Sequence, residues 1–313
     1  MRHHLLFGLL FLLISCGPSE TPNTSDEPDP TITTSQEEAK NEQIDSPVFL
    51  EILGTVQDGG SPHLACDRGC CEELIDHPDH SRKVVCLGLV DKTTEQSWMF
   101  EATPDFTEQC KLLEHSRGFG KNEVPDGVFL THAHIGHYVG LMFLGKEAMN
   151  SNNVPVYAMP RMKEFLETNG PWNQLVSQEN IVLKPLQDEE NTNLTNNIKV
   201  VPILVPHRDE YSETVGYRIV GPEKSALFIP DINKWEVWEK KIEEEIAKVD
   251  YAFLDATFYG PGELLSRSMD EIPHPFVVES MERFEGLSIE EKDKVYFIHI
   301  NHSNPILNAD SEE

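Results

Sequence analysis

The 313-residue chain is short of positive charge: 25 Lys and Arg stand against 54 Asp and Glu, a formal net charge of −29. That balance excludes nucleic acid as a partner, because such binding needs a basic patch to displace phosphate counterions. No apolar run reaches the ~20 residues that cross a bilayer, so no segment reads as a permanent membrane helix. Internal repeats are also missing, which removes solenoid and propeller arrays. Cysteine is sparse, with six in all, too few for a small scaffold built on disulfides.

The first residues carry what the rest lacks. Met1 and Arg2 precede an apolar block over 5–14, followed by Ser15-Cys16-Gly17. A positive start, a short apolar run and a small-residue cleavage region make a secretory signal peptide over residues 1–15. The ending resembles the lipobox of bacterial lipoproteins, which implies that Cys16 is lipidated and becomes the new N-terminus; the alternative is an ordinary signal peptide with an incidental cysteine. Residues 16–45 are rich in Ser, Thr, Pro, Glu and Asp, a composition that cannot bury enough apolar surface to offset its ordering entropy. They read as a tether, which places the protein outside the cytoplasm, held to the membrane of the cell envelope at Cys16. Residues 46–313 then form the globular domain. Without Cys16, five cysteines remain, an odd number that leaves at least one unpaired, metal-bound or linked to another chain.

Within the domain, strand-like runs alternate with helical ones. Segments 48–56, 84–90, 97–101, 127–130, 198–205, 214–220, 225–229, 251–254 and 295–300 are β-branched or aliphatic. Thr103-Pro104-Asp105 is a good helix start, and Phe106, Cys110 and Leu113 share one face of a helix ending near Gly118. Trp235, Trp238, Ile242 and Ile246 recur every three or four residues, predicting a helix over 234–249 with its stripe in the core. The alternation indicates a layered α/β domain.

The strongest chemical signal is Thr131-His132-Ala133-His134-Ile135-Gly136-His137. In an extended segment residues two apart project to one side, so His132 and His134 can face one metal ion. His137 lies where a helix can begin and approaches from another direction. Imidazole is the commonest ligand for borderline metals near neutral pH. Three further groups follow apolar strands: His207, Asp231 and His299. A polar group at such a place is costly unless paired or metal-bound.

This order resembles the metallo-β-lactamase superfamily, whose pattern is His-x-His-x-Asp-His, then a His, an Asp and a last His. The resemblance implies an αββα sandwich, with two mixed sheets packed together and helices on the outer faces. It implies a first metal site of His132, His134 and His207, with Asp231 bridging to a second site that contains His137 and His299. Glu101 to Asp105 takes the place of the superfamily's earlier acidic strand end. Within the superfamily, Ile52-Leu53-Gly54-Thr55 with Asp58-Gly59-Gly60-Ser61-Pro62, and the closing run from Ile298 to Leu307, are similar to the coenzyme PQQ synthesis protein B family.

Gly136 departs from the pattern: it stands where the superfamily has a ligand aspartate. His302, three residues beyond His299, is one substitute, and Asp58 and Asp255 are others. His302 or Tyr259 could serve as proton donor. Cys66, Cys70 and Cys71 lie close together, with His63, His77 or His80 as further candidate ligands, and suit a structural zinc or a disulfide; the PqqB-like resemblance implies zinc. Cys86 and Cys110 read as small core residues. The expected cofactor is one or two zinc ions, with iron also suited to the ligand set. The expected function is a hydrolase that uses a metal-activated water on a small molecule. Its alternatives are an oxidative or PQQ-related activity and a metal-dependent binding lipoprotein. Fold alone sets no substrate, and nothing sets the oligomeric state.

Overall fold

The computed structural model describes residues 46–311, apart from residues 65, 121–123, 265–267, 269–270 and 309. The expected signal peptide, Cys16 and the tether over 16–45 lie outside the described residues. Ile44–Glu313 make one compact unit, and no helix among the described residues is long and apolar enough to cross a membrane.

The first sheet contains β1 (Val48–Gly54), β2 (Cys86–Asp91), β3 (Gln96–Phe100), β4 (Gly127–Phe129), β5 (Val154–Ala158) and β6 (Ile181–Pro185), side by side in that order. The second contains β7 (Thr192–Asn193), β8 (Lys199–Leu204), β9 (Val215–Val220), β10 (Ser225–Ile229), β11 (Tyr251–Asp255) and β12 (Val295–Ile298), again in chain order. Each sheet opens as an antiparallel meander and closes with parallel strands, from β3 to β6 and from β10 to β12. The helices are α1 (Gly69–Asp76), α2 (Phe106–Arg117), α3 (Ile135–Tyr138), α4 (Pro160–Thr168), α5 (Trp172–Ser177), α6 (Ile242–Ile246), α7 (Val277–Arg283) and α8 (Ile289–Lys292).

The strand period of two sorts the side chains into layers. Leu87, Leu89, Trp98 and Phe100 of the first sheet meet Tyr217, Ile219, Ala226, Phe228 and Phe253 of the second in a shared interior. Phe129 stacks on Phe100 at 4.9 Å and on Tyr157 at 4.2 Å between ring centroids. The intervening residues point outward. Cys86, Val90, Met99 and Val128 pack under Phe106, Cys110, Leu113, Met162, Leu166 and Leu175 from α2, α4 and α5. On the far side Leu227, Ile229, Ala252 and Leu254 pack under Trp235, Trp238, Ile242 and Ile246. The result is the four-layer α/β/β/α sandwich. Each large apolar side chain so buried contributes roughly 1.5–3 kcal/mol.

One element differs from expectation. Residues 234–249 do not form a continuous helix: a 3-10 turn over Trp235–Val237 is followed by Trp238 in extended conformation, and α6 is five residues long. The apolar stripe is nonetheless buried in one cluster. Two tertiary bonds fix the break: the Trp235 indole N–H donates to Ser280 Oγ (2.9 Å) and that of Trp238 to the Leu204 carbonyl (2.9 Å). Strands β5 and β6 and helices α4 and α5 add elements that the sequence reading did not name.

Strand ends place the chemistry. The parallel registers Phe100↔Phe129, Ile229↔Leu254 and Asp255↔Ile298 bring the ends of β3, β4, β10, β11 and β12 to one edge of the sandwich. Glu101, the 131–137 segment, Asp231, Asp255 and His299 sit there, and His207 follows β8.

Candidate metal centre

Asp231 is the hub. Its Oδ2 lies 3.1 Å from His207 Nε2, 3.4 Å from His132 Nε2, 3.8 Å from His137 Nε2 and 3.9 Å from His134 Nδ1. Its Oδ1 lies 3.3 Å from His274 Nδ1. The structure thus brings together the six residues singled out from the sequence, in three overlapping groups: His132, His134, His207 and Asp231; Asp231, Asp255, His274 and His299; and Asp58, His137 and His299. In each group the donor atoms lie within 4.8 Å of one another.

Local structure explains how each side chain arrives. The extended segment after β4 turns His132 and His134 the same way, with His132 Nε2 2.8 Å from His134 Nδ1. His137 is carried on α3, whose last turn leads to Gly140. A Cβ at Gly140 would lie 2.4 Å from the Thr103 carbonyl, so only glycine lets α3 rest on the end of β3. There the Gly140 N–H donates to the Ala102 carbonyl (2.8 Å) and the Ala102 N–H to the His137 carbonyl (3.0 Å). Glu101 (φ 93°) and His299 (φ 59°) hold left-handed backbone, strained for residues with a Cβ at roughly 1–3 kcal/mol each, as occurs where function fixes geometry.

A second set of residues orients the first. The Thr131 hydroxyl donates to Glu101 Oε1 and lies 2.8 Å from His132 Nδ1. Thr257 Oγ1 lies 2.9 Å from His299 Nδ1, and its hydroxyl donates to Asp255 Oδ1 (2.6 Å). Asn233 Oδ1 stands 3.3 Å from His207 Nδ1. In each case one ring nitrogen is occupied by an orienting partner, the arrangement that turns the other toward a metal.

The electrostatics are divided. Burial, then the positive charge of His137, drives the His132 pKa well below its usual range, leaving a neutral imidazole. Burial alone would do the same to His137, but Glu101 at 3.4 Å, aided by Asp58 and Asp231, outweighs it and raises His137 to about 9. Burial opposes ionisation of Asp231 and Asp255, yet His207 and His274 for the first, and His274 and His299 for the second, hold both carboxylates ionised, Asp255 at about 2. His274 is raised against its burial by Asp255 and Asp231.

A cation fits this arrangement on one observation. His134 Nε2, both nitrogens of His137, His299 Nε2 and Asp231 Oδ1 are buried without a hydrogen-bond partner. Such orphans are costly, and they belong to residues gathered around Asp231 and Asp58, with His134 Nε2 turned to Glu210 and His137 Nδ1 to Glu101.

His302 does not join this group. It stacks on His63 at 4.3 Å between ring centroids and lies with Cys66, Cys70 and Cys71, all four donor atoms within 4.8 Å of one another. This corrects its reading as a second-site ligand or proton donor: the chain reverses after His299, and three residues are enough to carry His302 out of the histidine group. Cys66 Sγ lies 3.6 Å from Cys70 Sγ and the His63 N–H donates to Cys71 Sγ at 3.4 Å; no disulfide joins the described cysteines. Burial first of all pushes Cys70 up to about 12, while for Cys66 donors from Arg68 and the neighbouring thiols outweigh it and lower the thiol. Cys86 and Cys110 are buried in the core under α2. Tyr259 packs against Ala256, Val277 and Ile300. The residue that sequence reasoning missed is His274, between two prolines in a loop before α7, where no spacing marks it.

Comparison with known proteins agrees with this geometry. The family described as "Beta-lactamase superfamily domain" matches residues 98–300. Coenzyme PQQ synthesis protein B of Rhizobium meliloti is 24% identical over 297 residues, covering 85% of this chain and 92% of that protein. The Gluconobacter oxydans protein of the same name is 26% identical over 286 residues, covering 84% and 91%. Among solved structures, Zn(2+)-bound PqqB from Methylobacterium extorquens superposes with a TM-score of 0.66 at 21% identity, covering 84% of this chain and 92% of that one. A diphosphatase from the PhnP family superposes with a TM-score of 0.54 at 22% identity, covering 82% and 88%. With its paired six-stranded sheets in the metallo-β-lactamase fold and a family match over more than half of its length, this chain belongs to the beta-lactamase superfamily.

Proposed function

We propose that the chain is a metal-dependent hydrolase of a small molecule. His132, His134, His207 and Asp231 hold one ion, and Asp231, His137 and His299 contribute to a second position. The observation that carries the reading is the convergence of ring nitrogens of His132, His137 and His207 on Asp231 Oδ2, with His137 Nε2 buried and unpartnered among them. A metal bound there lowers the pKa of a water and polarises the bond under attack. Zinc is the first candidate and iron the second. The neutral state of His132 and the ionised state of Asp231 are the forms a cation needs. His274, drawn toward its protonated form by Asp255 (2.9 Å) and Asp231 (3.3 Å), is placed to hold a proton for a leaving group. His134 forms the open side, its ring about one-sixth exposed beside Glu210.

Two further assignments belong to the same proposal. Cys66, Cys70, Cys71 and His302 hold a structural zinc, and the mature protein is exported and anchored to the envelope membrane at Cys16. A diphosphatase and a Zn(2+)-bound PqqB among the structural neighbours support the hydrolytic and metal readings through the fold. Similarity over 92% of the Rhizobium PQQ synthesis protein B motivates a second reading, an oxidative activity, which iron rather than zinc in the histidine site would favour.

The test is elemental analysis of the full-length protein beside a His132→Ala/His134→Ala variant. The parent is expected to hold one or more ions that the variant lacks, both keeping the cysteine-bound zinc. Equal metal content in the two would refute the reading and leave a binding lipoprotein.

A further inference from the structure

Gly136 lacks the carboxylate that the superfamily pattern carries at its position, and another side chain fills the space. A Cβ on Gly136 would lie 2.2 Å from Asp58 Cβ, 2.8 Å from Asp58 Oδ2 and 3.0 Å from Asp58 Cα. Residues 58 and 136 therefore compete for one volume, and only one of them can bring a side chain to it.

We infer that Asp58, in the loop after β1, supplies the carboxylate ligand of the second metal position, in exchange for the side chain absent at Gly136. The inference rests on the proposed metal-dependent reading and extends it to a residue outside the histidine motif. A carboxylate oxygen of Asp58 lies within 4.8 Å of ring nitrogens of both His137 and His299. Those rings are almost fully buried, at 0% and 1% exposure, and His299 Nε2 and both His137 nitrogens have no hydrogen-bond partner. Three donors of the kinds that bind zinc or iron thus face one point from three separate elements.

The position of Asp58 is built into the backbone. Val56 bridges to both Val84 and Ile300. The Gln57 N–H donates to the Ile300 carbonyl (2.9 Å), and the Ile300 N–H donates to the Thr55 carbonyl (2.8 Å). The loop that carries Asp58 is therefore held in register with the residue directly after His299. The Gln57 amide completes the fixation: its Nε2 donates to Asp58 Oδ1, and its Oε1 accepts from the Gly59 N–H (2.9 Å). Oδ2 is left on the side of Gly136. A side chain restored at 136 would strike Cβ and Cα of Asp58, which cannot yield without breaking this pairing.

The test uses zinc and cobalt(II) as probes on the full-length protein. Asp58→Asn keeps the shape and the neighbours' hydrogen bonds and removes the charge. It is expected to weaken the second ion by at least about 10-fold in chelator competition, with the first ion unchanged, since even indirect partners of a metal site are worth 10–100-fold. The cobalt(II) spectrum should lose the contribution of that ion. Moving the carboxylate back, as Asp58→Gly/Gly136→Asp, should recover the second ion relative to Asp58→Gly alone. Unchanged affinity in Asp58→Asn, or a double variant no better than Asp58→Gly, would overturn the inference. Neither outcome touches the proposed function, which fails only if the His132→Ala/His134→Ala variant keeps all its metal.

Discussion

Glu101→Gln isolates the electrostatics of the metal centre, because it removes one charge and leaves the shape. Glu101 Oε1 stands 3.4 Å from His137 Nδ1 and both side chains are fully buried. At an effective dielectric of about 20 a full pair of charges at this separation is worth about 5 kcal/mol, or roughly 3.5 pKa units as an upper bound. Without it, burial is opposed only by the weaker pull of Asp58 and Asp231, and His137 falls from about 9. At about pH 7.5 the metal-free parent then carries nearly one proton on His137 and the variant fewer. Binding a metal through this ring must expel that proton. Calorimetric titration with zinc, in buffers of different ionisation enthalpy, should show fewer protons released by the variant, by at most about one.

Linkage gives a second readout with a definite sign. A histidine raised in the folded state contributes stability that is full below about pH 6.5 and is lost as pH rises through about 9, up to roughly 3 kcal/mol here. The metal-free parent should therefore lose more stability than the variant between those limits. Equal proton release by the two proteins would refute the assignment of the charge on His137 to Glu101.

Two further outcomes are expected. Cys70→Ser and His302→Ala should each lose a zinc ion that the His132→Ala/His134→Ala variant keeps, with a lower Tm, and retention of that zinc by either would dissociate His302 from the cysteines. Tyr217→Phe removes a buried hydroxyl that donates to the Leu130 carbonyl just before Thr131; urea unfolding should show a loss of about 1–3 kcal/mol, and a loss under about 0.5 kcal/mol would mean that carbonyl finds another partner.

The site was legible in the sequence where a local pattern encodes it. His132, His134 and His137 announce themselves because strand and helix periods set their directions, and His207, Asp231 and His299 because each follows a buried apolar run. Asp58 and His274 carry no such signal, whereas Asp255 follows the apolar run 251–254 as Asp231 follows its own. Asp58, one of several substitutes for the missing aspartate on the sequence alone, is singled out only when the bridge from Val56 to Ile300 closes, a contact between residues far apart in the chain. His302 was misplaced for the opposite reason: nearness in sequence to His299 says nothing once the backbone turns at a positive φ. The stripe of Trp235, Trp238, Ile242 and Ile246 was correctly assigned to the core but not to its conformation, since two short turns preserve the spacing of a helix when tertiary hydrogen bonds hold the indoles.

The sequential order of strands within each sheet has a kinetic consequence. Residues 48–185 complete the first sheet and the second begins at Thr192, so strands that are neighbours in a sheet are also successive in the chain, which keeps closures shorter than pairing of distant strands would. The donor atoms are divided between the halves: Asp58, His132, His134 and His137 come with the first, and His207, Asp231, His274 and His299 with the second. The first proposed metal position draws on both halves, since His132 and His134 come with the first and His207 and Asp231 with the second. An ion held at the proposed first position would therefore report that the two halves have docked.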